Sequence, residues 1–244
     1  MKNLLSAALI VAATSVAANA ADMSMPYKAA PVAQSVYNWT GFYLGGTAGG
    51  GIANSDHLDP DCFSCTNTKF QEAFGMVGVG AGYNFQFGHT VLGIEGDYNW
   101  ASVDATKTIA LDELLTGTTK FRMGEFATLR ARGGLAIDRT FIYATAGVAF
   151  AHIQNTTTLD GGPLAAEDKW KTGLAVGGGV EFALTQNWTL KGEYLLMQFQ
   201  NSDAALLNIP VGFETRCGSP ASCRINYSES VQLARVGLNY KFGY

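Results

Sequence analysis

Charged residues stand two positions apart at several places in this chain: Glu95 with Asp97, Arg130 with Arg132, and Lys191 with Glu193. Glu181, Arg235 and Lys241 extend the pattern into neighbouring stretches. Residues two apart in a β-strand point to one face, so five bases and four acids would meet on one side of a sheet. There they could line an ion path or neutralise one another as a hydrogen-bonded core. Four cysteines, Cys62, Cys65, Cys217 and Cys223, form a second group suited to disulfides or metal ligation. Of the three histidines, His57, His89 and His152, only His152 sits where a base for lipid acyl transfer could act. Such chemistry needs a nucleophile beside the base, and Gln154 stands two positions on. An enzyme is not expected.

The elements that must position these residues are eight segments of alternating hydrophobicity, joined alternately by long polar loops and short turns. They cover about Gly41–Ile52, Ala73–Phe85, Val91–Ala101, Met123–Ile137, Phe141–Ile153, Lys169–Ala183, Trp188–Phe199 and Ser228–Tyr244. The loop Ser102–Arg122 has room for one helical turn at Leu111–Leu115, and Asp138–Arg139 reads as a two-residue turn. One face of each segment is apolar: Val77, Val79, Ala81, Tyr83 and Phe85 in the second, for example, and Ile142, Ala144, Ala146, Val148 and Phe150 in the fifth. The charges named above fall on the opposite face. An apolar outside around a charged inside is the reverse of a soluble barrel and matches a wall facing lipid, where exposing Arg or Lys at mid-bilayer costs about 2–4 kcal/mol. The expectation is an all-β fold, an eight-stranded antiparallel transmembrane β-barrel with short periplasmic turns and long extracellular loops. A barrel of eight strands is filled by its own side chains, so a closed polar interior is expected, with Glu95, Glu181 and Glu193 partnering Arg130, Arg132 and Arg235. A narrow path opened by rearranging those pairs stays open as an alternative.

Targeting agrees. Lys2 precedes an apolar run from Leu4 to Ala18, and Ala18–Asn19–Ala20 suits signal-peptidase cleavage between Ala20 and Ala21. Residues 1–20 read as a signal peptide, 21–38 as a flexible periplasmic extension with Pro26 and Pro31, and 39–244 as the barrel. Removing Lys2 leaves 15 basic against 20 acidic residues, a net charge of −5. That balance argues against nucleic acid as a partner, which would call for a basic face. Glycine (29 residues) together with 14 Phe, 10 Tyr and 4 Trp suits curved strands with aromatic girdles. The cysteines fall in the first and last loops, on an oxidising side of the membrane that favours disulfides. Short loops favour the local pairs Cys62–Cys65 and Cys217–Cys223. Cross-linking between the loops stays open, because the first and last strands of a closed barrel are neighbours. A zinc site from His57, Cys62 and Cys65 lacks a fourth ligand at a recognised spacing.

At Tyr37–Gly46 the chain reads Tyr-Asn-Trp-Thr-Gly-Phe-Tyr-Leu-Gly-Gly, and from Arg235 it closes on Arg-Val-Gly-Leu-Asn-Tyr-Lys-Phe. With the signal peptide, these stretches make the chain similar to the opacity-type outer-membrane β-barrel family of alpha-proteobacteria, the outer membrane immunogenic or porin-family proteins. The resemblance implies an outer-membrane location, insertion by the barrel-assembly machinery, antigenic loops and a role in envelope integrity. Lipopolysaccharide, outer-membrane lipid and host or neighbouring surface proteins are the partners it implies. Tyr240, Phe242 and Tyr244 look like the terminal assembly signal, although Gly243 and Tyr244 follow the family's usual final Phe. No periplasmic domain follows the last strand, so direct peptidoglycan binding by one is not expected. No cofactor is required. Some relatives are implicated in haemin binding, for which His57 and Tyr227, with Leu206, Leu207 and Phe213, are the candidate residues. The expected function is a structural, non-enzymatic surface barrel, with a haemin receptor and a narrow small-solute porin as alternatives.

Overall fold

Strict alternation in eight chain segments gives each one a lipid-ready face, and closing the sheet on itself is the only way to leave no unpaired edge in lipid. The computed structural model describes residues 37–58, 68–112, 115–159, 162–205 and 224–242. Within them run β1 (Gly41–Leu58), β2 (Thr68–Phe87), β3 (Thr90–Asp112), β4 (Leu115–Ile137), β5 (Thr140–Leu159), β6 (Gly162–Ala183), β7 (Trp188–Phe199), β8 (Ser202–Ala205) and β9 (Arg224–Lys241). Eight of them close a ring in the order β1 to β7 and then β9, with β9 pairing back onto β1 from Tyr43↔Lys241 to Leu58↔Asn226. All the pairings are antiparallel. The short β8 lies outside the ring and continues the wall above β7 by pairing with the start of β9.

The tight turns fall at Gly88–His89, Asp138–Arg139 and Leu184–Asn187. Asp138 takes a positive φ of 51° and Gly88 one of 62°, the left-handed geometry that a two-residue hairpin turn requires. At the other end the strands are much longer than expected. β3 and β4 each run 23 residues, where about 9–11 suffice to cross a bilayer. The segments Ser102–Arg122 and Gln154–Asp168, expected as loops, are largely strand, and Leu111 and Leu115 are strand residues rather than a helical turn.

The reason lies in an inversion of the pattern. Across the membrane the outward face is apolar and exposed, with Ile94, Leu129, Leu174 and Val236 all about 60% accessible. Beyond Trp100 on β3 the outward residues become Ser102, Asp104 and Thr106, while Val103 and Ala105 turn inward and are buried. On β4, Arg122 and Lys120 face out while Phe121 and Met123 are buried. Where lipid gives way to water, the wall adopts the polar-out, apolar-in order of a soluble barrel. The switch coincides with β-bulges at Trp100/Val103 between β3 and β4 and at Met123/Glu125 between β4 and β5, which re-phase β4.

The interior is therefore layered and not polar throughout, which corrects the expected polar core. At the periplasmic mouth Tyr37, Trp39, Val91, Ala136, Phe141, Tyr143 and Ala183 form an apolar cluster. Above it comes the layer of charges. Next is an apolar layer that includes Phe70, Phe74, Phe121, Met123, Phe126, Met197 and Phe199. A second polar layer, around Lys171 and Glu229, lies towards the extracellular end. Tyr37 and Asn38, expected in the periplasmic extension, belong to the mouth: Tyr37 is buried and Trp39 packs on Phe141 at 5.3 Å.

Candidate functional site

The charged layer is assembled from inward positions of β3, β4, β6, β7 and β9. Arg130, whose side chain has no exposure, is its centre. It bonds Glu95 at 2.7 Å, Asp97 at 2.8 Å and Glu193 at 3.0 Å. Arg132 bridges Glu95 (3.1 Å) and Glu181. Arg235 holds Asp97 (2.9 Å) and Glu193 (2.6 Å), and Lys191 sits on Glu95 at 2.7 Å. Each of the four carboxylates thus meets at least one guanidinium. Neutral groups take up remaining valences: Thr128 donates to Asp97 at 2.8 Å, Asn239 to Glu181 at 2.9 Å, and the Tyr43 hydroxyl to Glu95 at 2.8 Å. Gly82 makes room for that hydroxyl, since a Cβ at this position would collide with it.

Lys241, grouped with these charges by parity, stands apart. Its ammonium lies 4.5 Å over the Tyr37 ring and donates to the Asn38 carbonyl, so it ties the N-terminal segment into the mouth. The Trp39 amide donates to Gln86 at 2.7 Å from the same segment. The stretch Tyr37–Gly46 therefore supplies the mouth plug (Tyr37, Trp39) and one hydroxyl of the charge layer (Tyr43).

Sequence reasoning missed the outer polar layer. Lys171 bonds Glu229 at 2.8 Å and Glu167 at 2.8 Å, and Asn155 donates to Glu229 at 3.0 Å. Its signal was present, because Lys171 and Glu229 share parity with the inner charges. Both stand at the very start of an expected strand, Lys171 third in Lys169–Ala183 and Glu229 second in Ser228–Tyr244. His57 and Tyr227, the haemin candidates, do come together here: they are register partners with ring centroids 4.6 Å apart, edge to face. Both are buried, with 4% and 0% exposure, and His57 also packs on Phe70. His57 lies five residues beyond Ile52, past the outward polar residues Asn54 and Asp56, and so outside the bilayer. Burial, aided by the Lys171 charge, pushes its imidazole down to about 4. Burial likewise raises the Tyr227 phenol to about 12. Burial opposes ionisation of Glu167, but hydrogen bonds from Lys169 and Lys171 outweigh it and hold that carboxyl below its usual range. An axial ligand needs a ring nitrogen or phenol oxygen open to the metal; the His57 Nδ1 and the Tyr227 hydroxyl are buried, and the His57 Nε2 is hydrogen-bonded to Ser55 at 3.0 Å.

The remaining candidates are dispersed. Tyr240 and Phe242 lie on the outer wall near the periplasmic edge, where Tyr240 packs on Trp188 at 5.0 Å and Phe242 on Phe42 at 5.7 Å. His89 sits in a periplasmic turn. His152 is on the outer wall, where Asp168 bonds it at 2.7 Å. Ala20, Ala21, Cys62, Cys65, Cys217, Cys223, Leu206, Leu207, Phe213 and Tyr244 lie outside the described residues, and with them the expected cleavage site and the expected disulfides.

Similarity to known proteins gives the family of this chain. The 31 kDa outer-membrane immunogenic protein of Brucella melitensis is 33% identical over 255 residues, spanning 99% of this chain and all of that protein. The 25 kDa outer-membrane immunogenic protein of Brucella canis is 30% identical over 98% of this chain and 96% of its own length. Among solved structures, the outer membrane protease OmpT of Escherichia coli aligns over 84% of this chain and 98% of its own, at 8% identity and a TM-score of 0.46. A family model described as outer membrane protein β-barrel domain matches residues 6–242. The chain belongs to that family of outer-membrane β-barrels.

Proposed function

We propose that this outer-membrane protein is a structural, non-enzymatic surface barrel that supports envelope integrity and holds its outer hairpins before lipopolysaccharide, host surfaces or neighbouring proteins. The observation that carries this reading is the stacking of the interior. The charge layer that a pore would use lies between an apolar mouth, plugged by Tyr37 and Trp39, and an apolar layer containing Phe70, Phe121 and Phe126, all three of them buried. Rearranging the ion pairs alone opens no route, because apolar layers close it on both sides. The same filling leaves little room inside for a substrate, and the outer hairpins are the parts free to meet partners. Insertion by the barrel-assembly machinery, guided by Tyr240 and Phe242 on the last strand, belongs to the same reading.

Depletion of the protein tests it. Cells lacking the barrel should leak a periplasmic enzyme and lose resistance to detergent, and re-expression should restore both. If permeability and detergent resistance are unchanged, the structural role is wrong.

A further inference from the structure

The outer wall carries a feature that a purely structural barrel does not need. Where the apolar surface ends, one register row runs across four strands, all of it facing outward: Trp100 on β3, Glu125 on β4, His152 on β5 and Trp170 on β6. Two half-exposed tryptophans bracket two polar side chains. Above it the next row reads Asp104, Arg122, Gln154 and Asp168. The bulges in β3 and β4 fall between these rows. Bulges bend a strand and re-aim its side chains. Here they leave a cleft of about 230 Å³ lined by Ala101, Ser102, Arg122, Gly124, His152 and Gln154, among others. Gly124 leaves it open, since a Cβ there would touch nothing.

The polar groups around the cleft are held in place by one another. Asp168 bonds His152 at 2.7 Å and accepts from Gln154 at 3.2 Å. Arg122 pairs with Asp104 at 2.7 Å. Tyr98 donates to Glu125, and Trp170 stacks on His152 with centroids 5.5 Å apart. A second groove of about 300 Å³, on the wall of β6, β7 and β9, differs in its lining: Leu174, Val176, Leu196, Gln198, Ser230 and Gln232 among others, with no charged side chain.

We infer that this cleft is a binding site for the saccharide headgroup of an outer-leaflet glycolipid. The chemistry fits the class. Carboxylates accept from sugar hydroxyls; guanidinium, carboxamide and serine hydroxyl donate to them; the tryptophans offer flat apolar faces with a polar edge at the water boundary. Height selects the source. The cleft opens sideways where the apolar wall stops, so a sugar attached to membrane-embedded acyl chains arrives with its tail already against Leu129, Val148 and Leu174. A free sugar must be captured from bulk water. The inference rests on the proposed role only in placing this wall against the outer leaflet; the depletion assay tests that role, and binding tests the cleft.

The test is a titration of the intact barrel, refolded in nanodiscs of plain phospholipid, with a rough lipopolysaccharide, with its deacylated saccharide, and with an added phospholipid lacking sugar. Tryptophan fluorescence and native mass spectrometry report occupancy. The glycolipid should saturate near one per barrel. The Arg122→Ala/Gln154→Ala variant should bind it about tenfold more weakly, the loss expected for a charge-assisted hydrogen bond. Its folding is checked by heat-modifiable gel mobility, and Arg139→Ala, in a periplasmic turn at the opposite end of the barrel, should bind as the parent does. The deacylated saccharide should bind more weakly than the glycolipid and lose the same factor in the variant. Equal binding by parent and double variant, or a phospholipid response as large as that of the glycolipid, would overturn the site. A free saccharide binding as tightly as the glycolipid would overturn the assignment to a membrane source.

Discussion

Two polar layers fill this barrel, and they are built on different terms. The inner one, around Arg130, sits within the membrane-spanning wall, gathers four acids and four bases, and links five strands through multidentate bonds. The outer one, around Lys171, lies at the water end and pairs one buried ammonium with Glu229 and Glu167, with neutral partners Asn155 and Ser202. A buried charge is tolerable only when it is matched and hydrogen-bonded. Deep in the wall the match must be complete, because no water can substitute. Near the extracellular rim a smaller, partly neutral set suffices. The apolar layer between them keeps the two electrostatically separate and dry.

The largest expected effect comes from breaking the inner layer at its centre. Arg130→Met leaves Glu95, Asp97 and Glu193 each short of a cation and should cost about 3–5 kcal/mol, as for other buried pairs with one partner removed. Denaturant unfolding from lipid vesicles measures it. A loss no larger than that of Lys171→Met would show that the two layers do not differ as argued. Phe121→Ala, in the apolar layer, should cost about 3 kcal/mol for the lost burial and the cavity. Planar bilayers holding that variant should stay electrically silent, since the charge layer and the mouth plug still close the lumen. Discrete channels from this single change would show that the apolar layer alone is the seal.

The inner layer was legible in the sequence and the outer one was not, for a definite reason. Within the membrane the solvent outside is uniform, so Ile142 through Phe150 alternate cleanly with an inward set and β7 is placed residue for residue at Trp188–Phe199. The turn at Asp138–Arg139 follows from the same clarity. Beyond the girdle the outside becomes water, the parity inverts, and a bulge shifts β4 by one residue between Met123 and Phe126. A reading that seeks apolar-out alternation sees loop there, although Val103 and Ala105 on β3, or Phe70 on β2, are apolar inward residues with polar neighbours. Nor could pattern alone find the mouth plug: Tyr37 and Trp39 precede β1, and only the closed ring shows what they fill. The charge pairs could be grouped by face, but which acid meets which base depends on register between strands, which a single sequence does not fix.

Breaking the outer layer should cost less. Lys171→Met removes bonds to Glu229 and Glu167, but Glu229 keeps Asn155 and Glu167 keeps Lys169. A loss of about 2 kcal/mol is expected, the scale of hydrogen bonds to charged groups.

The smallest change at neutral pH, and the one that separates the layers most cleanly, concerns His57. Its folded pKa of about 4 lies below the ordinary 6.5, so between those values the unfolded chain binds more protons than the folded one. Stability should therefore fall as pH drops from about 6.5 towards 4, and should show no slope from this residue above 6.5. Glu167, whose carboxyl is depressed, adds its own loss only further down, below the ordinary 4.5. The interval from 6.5 to 4.5 thus belongs to the imidazole. His57→Gln should flatten the dependence of the unfolding midpoint on pH across that interval while leaving the value at pH 8 nearly unchanged. If the slope survives the substitution, the outer layer is open to water and the imidazole protonates without disturbing the fold. The dryness argued for this end of the barrel would then be wrong, while the inner layer, sealed by the aromatic residues of the apolar layer, would be untouched.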